Sequence, residues 1–349
     1  MAYTNIDDPS AHFQTKTYTG TSGIHDVTLD GNSDMQPDFV WFKNRTVGYV
    51  HHLYDSSRGV TKALYSNGTN AEATISNGLT RFDPDGFRVS SAAAINEDEI
   101  VCWNWKANGG TTSSNTDGDI TTTVQANTDA GFSIVTYTGN GTNDTKIGHG
   151  LGVTLDMMIV KNRDTATNWQ IFHKDLNLAS PEDYRLKLNL TDANEFASNI
   201  WGTTTRTSTT IAVKAFTDTN ASGDNYVAYC FAEKQGYSKF GKYVGNGNAN
   251  GPFIYTGFKP AFVMMKNSSV GASWHMVDNK RLDYNPTTKV LYANLNNAEG
   301  TSDRVDLLSN GFKLRTTNTE VNGSGYNIIY MAFAENPFTT STGIPTTAR

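Results

Sequence analysis

The chain has 349 residues and a formal net charge of −6, with 34 acidic and 28 basic side chains. Only 37% of the residues are hydrophobic and 18% are charged, yet 17 Phe, 16 Tyr and 6 Trp provide large side chains for a core. The negative charge argues against nucleic-acid binding, which calls for a basic domain, and the aromatic content argues against disorder. No apolar run approaches the ~20 residues that cross a bilayer, so no membrane insertion is expected. The first residues lack the basic and apolar regions of a secretory signal.

Internal repetition is the main signal in the sequence. Each of three repeats opens on a strand, continues with an apolar strand that ends in Lys-Asn, and closes on a strand of alternating character. The opening strands contain Phe13, Phe132 and Phe240; the Lys-Asn strands are Pro37–Arg45, Leu155–Arg163 and Lys259–Asn267; the closing strands are Ile100–Ala107, Tyr226–Glu233 and Ile328–Glu335.

Two further strands lie between the Lys-Asn strand and the closing strand of each repeat. The first set comprises Tyr49–Asp55, Trp169–Asp175 and Trp274–Asp278, and the second set, before an Asn-rich turn, comprises Ala63–Asn67, Leu186–Asn189 and Val290–Asn294. All these runs are short, rich in β-branched and aromatic residues, and bounded by Gly, Asn, Asp or Pro. This pattern predicts an all-β fold. The best helical candidates, Asp192–Ser198 and Ala92–Glu99, would form one or two turns at most.

The repeat period of about 105–120 residues is large enough for a unit with its own core. We therefore predict three tandem lectin-like β-sandwich domains of the jelly-roll type. The predicted division is an N-terminal lead and repeat 1 (1–107), a Thr/Ser/Gly/Asn-rich linker (108–130), repeat 2 (131–237), repeat 3 (238–338) and a loose C-terminal tail (339–349). Three such units in one chain could also form a pseudo-threefold cluster.

The candidate catalytic residues have simpler structural interpretations. Glu97 and Glu99 could superficially serve as the two carboxylates of a glycoside hydrolase, but they precede a closing strand and are expected to lie on a solvated loop edge. His51 and His52 fall in a strand whose counterparts carry Ile171 and Phe172, which favours packing positions over metal ligands. We predict no catalytic, cofactor-binding or metal-binding residues.

Other motifs also indicate structure. The segment Asp30–Asp34 starts like a calcium loop but lacks the glycine at the sixth position and the closing glutamate, which favours a hairpin turn over calcium binding. The sequences Gly139–Gly141 and Gly245–Gly247 are tight-turn signals. Cys102 and Cys230 are expected to be buried apolar residues. The Asn-, Thr- and Tyr-rich loops suit recognition of polar targets such as glycans, although they could equally serve solubility alone.

Five phrases resemble a family of tailed-phage virion proteins that are abundant in marine phages and are described as tail-fibre-like or structural. The phrases are Met1–Thr15, Gln36–Arg45, Gly131–Gly141, Ile147–Gly152 and Tyr226–Glu233. The resemblance implies a non-enzymatic, β-rich virion protein on the tail or capsid surface, assembled in the host cytoplasm and assisting host attachment. This chain shows no heptad region, so a compact knob is expected in place of a long fibre.

The same resemblance implies the partners: other virion proteins of the tail or capsid, a host-surface glycan as candidate ligand, and a homo-oligomer, with a trimer favoured. Two alternatives remain open at this point. One is a capsid-surface decoration or fibre protein, and the other is a polysaccharide depolymerase built on a β-sandwich.

Overall fold

A computed structural model of the chain describes residues 3–202, 206–281, 285–301 and 305–346. All the paired strands are antiparallel, and the predicted all-β class is confirmed. Helix in the described ranges is confined to α1 (Ala93–Asn96), α2 (Thr319–Asn322) and two 3₁₀ turns, Pro9–Ala11 and Pro181–Asp183. No helix among these residues has the length and apolar character needed to cross a membrane.

Repeat 1 consists of two main sheets and a small strand pair. The strands are β1 (Phe13–Thr19), β2 (His25–Val27), β3 (Phe39–Asn44), β4 (His52–Asp55), β5 (Lys62–Ala63), β6 (Ala73–Thr74), β7 (Leu79–Asp83), β8 (Gly86–Val89) and β9 (Glu99–Trp105). The larger sheet has the order β1-β9-β3-β4 and the smaller one β2-β8-β7, while β5 pairs with β6. The closing strand of the repeat therefore lies between the opening strand and the Lys-Asn strand.

Repeat 2 follows the same order in a wider sheet. The strands are β10 (Ser113–Asn115), β11 (Thr122–Asn127), β12 (Phe132–Thr138), β13 (Thr145–Gly148), β14 (Met157–Asn162), β15 (Gln170–His173), β16 (Tyr184–Lys187), β17 (Glu195–Phe196), β18 (Thr210–Val213) and β19 (Asn225–Phe231). The larger sheet runs β10-β11-β12-β19-β14-β15-β16-β17, and β13 pairs with β18. The predicted helical segment Asp192–Ser198 thus contains a short strand instead, because Glu195 pairs with Arg185 across the sheet edge.

Repeat 3 has the strands β20 (Ser238–Val244), β21 (Phe253–Tyr255), β22 (Phe258–Asn267), β23 (Trp274–Asp278), β24 (Leu291–Tyr292), β25 (Val305–Leu308), β26 (Gly311–Leu314) and β27 (Asn327–Pro337). Its larger sheet has the order β20-β27-β22-β23-β24, and its smaller sheet β21-β26-β25. Opening, closing, Lys-Asn and second strands are therefore neighbours in the same order in all three repeats.

Each larger sheet is buried on both faces, which explains why the Lys-Asn strands are continuously apolar. In β3, Val40 and Phe42 belong to a core of repeat 1 that includes Phe87 of the smaller sheet. The alternate residues Phe39 and Trp41 belong to a second core, which combines residues from all three repeats. Since successive side chains of a strand point to opposite faces, each repeat has one core of its own and shares another with its neighbours.

The segment 108–130, expected to be a linker, is part of the folded structure. Its strand β11 pairs with β12 along five residues, from Thr123 opposite Thr136 to Asn127 opposite Phe132. Val124 and Gln125 are buried. The composition favours a free segment, but β10 and β11 extend the repeat 2 sheet on one side, and β11 covers the hydrogen-bonding groups of β12.

Both ends of the described chain pack on repeat 3. Tyr3 donates its hydroxyl hydrogen to the Gly257 carbonyl over 2.7 Å, and Ile6 belongs to the shared core. The expected loose tail is folded as far as it is described, since the Thr340 N–H donates to Ile344 over 2.9 Å and Asp7 accepts from the Ser341 N–H over 2.6 Å. The lead and the tail thereby fasten repeat 1 to repeat 3.

Candidate binding cleft

The three repeats contact one another in a closed ring. At one equivalent position in each repeat, a ring N–H donates to a backbone carbonyl of the next repeat: His51 to Tyr292, Trp169 to Tyr65, and Trp274 to Lys187, over 2.9, 2.8 and 3.0 Å. Repeat 1 thus contacts repeat 3, repeat 2 contacts repeat 1, and repeat 3 contacts repeat 2. The backbone N–H of each donor residue is bound by the Asn side chain of its own repeat, Asn67, Asn189 or Asn294.

The register of these bonds corrects the alignment expected for His51. Its counterparts are Trp169 and Trp274, not Ile171 and its equivalent. His51 Nδ1 accepts from the Trp41 indole N–H over 2.8 Å, so Nε2 carries the hydrogen that it donates to repeat 3. Burial, together with the nearby Lys43 charge, lowers the pKa of His51 to about 3 and keeps the ring neutral. His51 is therefore a buried structural donor at the junction between repeats 1 and 3.

Two of the three junctions contain a chain of salt bridges that links the neighbouring repeats. Between repeats 1 and 2, Glu72 joins Arg163 to Arg58, over 3.0 and 2.9 Å, and Arg58 pairs with Asp55. Between repeats 3 and 1, Glu299 joins Arg45 to Arg281, each over 3.0 Å, and Arg281 pairs with Asp278. Asp55 and Asp278 each also accept a hydrogen bond from an aromatic side chain of the neighbouring repeat. The Tyr229 hydroxyl donates to Asp55, and the Trp103 indole N–H donates to Asp278.

At the third junction, between repeats 2 and 3, neutral residues stand at the positions that form this chain of salt bridges elsewhere. The Asn194 backbone N–H donates to the Ser268 carbonyl over 3.0 Å. The backbone N–H groups of the two glutamates donate in the same way to the carbonyls of Arg163 and Arg45. His173 stands at the position of Asp55 and Asp278, and its Nε2 lies 3.3 Å from the Tyr330 carbonyl. Burial lowers the pKa of His173 to about 3, so a neutral ring stands where Asp55 and Asp278 stand in the other two repeats.

A second set of equivalent positions distinguishes the three junctions. Asp38 accepts hydrogen bonds of 2.7 to 2.8 Å from Ser56, Ala107, Gly109 and Gly110. Asp156, its counterpart in repeat 2, accepts from the Glu233 N–H over 2.6 Å and pairs with Lys174 over 3.0 Å.

In repeat 3 the equivalent residue is Ala261, which has no carboxylate. A polar cleft of about 370 Å³ lies against Ala261, between repeats 1 and 3. It is lined by Ser10, Phe13, Gln14, Thr15, Asp30, Gly31, Asn32, Ala261, Asn279, Lys280, Ala334, Glu335 and Asn336. Thr15 stands where the larger Ile134 and Phe240 stand in the other two repeats. Two small residues at one junction therefore leave open the volume that side chains fill at the other two.

The polar groups of the cleft wall are partly paired among themselves. Asp30 binds Lys16 and Lys280 over 3.2 and 3.1 Å, and Glu335 binds Lys259 over 3.0 Å. Asn279 donates its backbone N–H to Ala261, but its Oδ1 is buried without a hydrogen-bond partner among the described residues, as is the Thr15 hydroxyl. The cleft therefore combines salt-bridged charges with two unpaired polar atoms.

The residues considered from the sequence lie elsewhere or serve structure, with one exception. Glu97 accepts from Tyr49, while Glu99 accepts from Thr19 and faces Arg45, so the two carboxylates bind separate partners. Asp30 is the exception, because it lines the cleft, where its carboxylate pairs with Lys16 and Lys280. In the described ranges, no three His, Cys, Asp or Glu side chains are grouped in a way that could hold a metal ion.

The two cysteines are free and buried in different cores, Cys102 in repeat 1 and Cys230 in repeat 2. Burial raises the pKa of each thiol to about 12. Gly141 and Gly247, in the two tight-turn sequences, have φ of +69° and +66°, which a glycine adopts without strain.

The family described as a domain of unknown function, DUF7483, matches residues 8–337. The chain belongs to this family. Because the match runs from the N-terminal lead to the end of β27, the DUF7483 unit takes in all three repeats and every junction of the ring. Neither a curated protein nor a solved structure matches the DUF7483 chain.

The cleft was missed by sequence reasoning, although the repeats contained a signal. The aligned Lys-Asn strands begin with Pro37-Asp38, Leu155-Asp156 and Pro260-Ala261, so the loss of an acidic residue in repeat 3 is visible in the sequence. Its meaning depends on knowing that Asp38 and Asp156 fill space between repeats, which only the structure shows.

Proposed function

We propose that this DUF7483 protein is a non-enzymatic structural protein of a tailed-phage virion, exposed on the particle and assisting attachment to the host surface. The observation that carries the proposal is the closed ring of three repeats around one shared aromatic core. A ring of this kind is a rigid head with threefold-like geometry made by a single chain. Such a head suits a position on a symmetric particle, and its polar loops suit contact with glycans.

The repeats support a finer proposal about their fold. Each packs two antiparallel sheets over an apolar core, with the closing strand between the opening and Lys-Asn strands. We infer lectin-like sandwiches of the jelly-roll type, a scaffold on which loops recognise sugars. The charges inside the ring contribute to this rigid scaffold: Arg58 and Arg281 are fully buried and held by carboxylates on both sides.

Mass spectrometry of purified particles of the source phage tests the proposal. The chain should be present in stoichiometric amounts after density-gradient purification, and its absence from particles that contain the other structural proteins would contradict the proposal. Gold-labelled antibody then separates the two locations, because labelling of the tail supports an adhesin and labelling of the capsid supports a decoration protein.

An activity assay on the purified chain tests the non-enzymatic assignment. The purified chain is incubated with host-surface polysaccharide, and reducing ends are measured over time. We expect no increase above the value for the heat-inactivated chain. A steady release of reducing ends would contradict the assignment and indicate a depolymerase.

A further inference from the structure

We propose that the cleft between repeats 1 and 3 binds an acidic sugar residue, whose carboxylate takes the place that the Asp38 and Asp156 carboxylates occupy at the other two junctions. This inference rests on the proposed function, and it names the ligand class of the head. A uronic acid unit of a surface polysaccharide has the required groups, a carboxylate beside several hydroxyls.

The carboxylate follows from the comparison of the three junctions. Ala107 and Glu233 donate their backbone N–H groups to Asp38 and Asp156. Glu335 is the third member of this set, and the alanine at position 261 offers it no acceptor. Glu335 thus lines an open cleft at the position whose backbone N–H binds a carboxylate at the two filled junctions, on a closing strand that here continues past a β-bulge to Pro337. Backbone N–H groups directed at a carboxylate form charge-assisted hydrogen bonds.

The hydroxyl groups of the proposed sugar are inferred from two buried polar atoms of the cleft that have no hydrogen-bond partner among the described residues. Asn279 Oδ1 is buried without a donor among the described residues, and the Thr15 hydroxyl, itself 3% exposed as a residue, has no partner there either. A carbonyl oxygen requires a donor, which a sugar hydroxyl supplies, and an unsatisfied buried acceptor is costly to the fold without one. Both atoms belong to residues that line the same cleft.

The charge of the wall permits an anion. Asp30 pairs with Lys16 and Lys280, and Glu335 pairs with Lys259, so both wall carboxylates are compensated by lysines, of which Lys280 itself lines the cleft. The volume of about 370 Å³ lies in the range of small-molecule sites and has room for about one or two sugar rings. A neutral sugar would fill the same volume but would leave the carboxylate position empty.

Isothermal titration of the full-length chain with glucuronate, and with glucose as the neutral counterpart, tests the inference. We expect glucuronate to bind at least ~10-fold more tightly than glucose. The variant Ala261→Asp restores the carboxylate of the other repeats and should weaken glucuronate binding by at least ~10-fold. Ala249→Asp introduces the same charge on an exposed loop and should leave the affinity unchanged.

A second variant covers the case in which Ala261→Asp does not fold. Asn279→Ala removes the unpaired oxygen and should weaken glucuronate binding by ~10-fold with an unchanged circular dichroism spectrum. The inference is overturned if the chain does not bind glucuronate, if glucose binds equally well, or if both cleft variants bind like the parent. Particle mass spectrometry is independent of these titrations, so a virion protein without this ligand would be recognised as such.

Discussion

His51 shows how one side chain can replace a tryptophan at a repeat junction. Trp169 and Trp274 donate an indole N–H across their junctions, and His51 donates its Nε2–H in the same direction. The smaller imidazole leaves room for Trp41, whose counterparts are Ile159 and Met264. The Trp41 N–H then finds its acceptor on His51 Nδ1. These two positions of the repeat therefore hold either a tryptophan with a histidine, as in repeat 1, or an aliphatic side chain with a tryptophan, as in repeats 2 and 3.

This pairing predicts the outcome of a double-mutant cycle. His51→Trp alone removes the acceptor of the buried Trp41 N–H and overfills the site, which should lower the free energy of unfolding by about 2–4 kcal/mol. Adding Trp41→Ile recreates the arrangement of repeat 2 and should recover at least half of that loss. Urea unfolding measures both variants, and a double variant no more stable than His51→Trp alone would contradict the equivalence.

Four buried histidines predict acid sensitivity. Burial lowers the pKa of His51 and His173 to about 3, and that of His52 and His149 to about 4, from 6.5. The folded state therefore binds fewer protons than the unfolded state between these values, and its stability is lost as the pH falls below about 6.5. Each histidine contributes a slope of up to ~1.4 kcal/mol per pH unit.

The measurement is the free energy of urea unfolding from pH 7 to pH 5. We expect a marked decrease over this range, and a flatter dependence, by about a quarter, in the Trp41→Ile, His51→Trp variant, which lacks one of the four histidines. Stability that is constant or rises on acidification would show that the buried carboxyl of Asp38, whose pKa burial raises, and others like it dominate instead.

At the scale of elements, β11 is the clearest case of composition giving the wrong impression. The segment 108–130 is rich in Thr, Ser, Gly and Asn, yet Gln125 is buried and binds both Ser56 and Ser57 of repeat 1 over 2.9 Å. Its Oε1 accepts from the Asn108 and Gly110 N–H groups over 3.1 and 2.9 Å. The segment fills the junction between repeats 1 and 2 with its own polar groups.

Replacement of Gln125 tests the contribution of this segment. Gln125→Ala should lower the free energy of unfolding by about 2–3 kcal/mol, because several buried polar groups lose their partner. Thr123→Ala, in the same strand but exposed, should change it by less than about 0.5 kcal/mol. Thermal or urea unfolding compares the two, and equal effects would mean that β11 is only loosely held.

At the scale of the whole molecule, the shared core makes the three repeats interdependent. Phe13 contacts Phe333 with ring centroids 5.0 Å apart, Phe39 contacts Tyr229 at 4.2 Å, and Phe231 contacts Phe240 at 5.8 Å. These pairs join repeats 1 and 3, 1 and 2, and 2 and 3. A repeat taken from the ring would expose one face of its larger sheet to water, at roughly 25 cal/mol for each Å² of apolar surface.

We therefore expect the chain to unfold in a single transition. Calorimetry should give one peak whose calorimetric and van't Hoff enthalpies agree, since the loss of one repeat exposes the core of the other two. Three resolved transitions, or a folded repeat 2 (131–237) when expressed alone, would show that the units are independent and that the shared core contributes little.

The sequence by itself determined the all-β class, the succession of the recurring strands along the chain in each repeat, and the burial of the cysteines. These features depend on local periodicity and on composition. Tertiary structure alone decided that the repeats close into a ring, that 108–130 joins a sheet and that His51 corresponds to two tryptophans. The cleft at Ala261 belongs to this second group. Its walls come from residues up to 326 positions apart along the chain, Ser10 and Asn336, and no local pattern records which side chains meet across a junction.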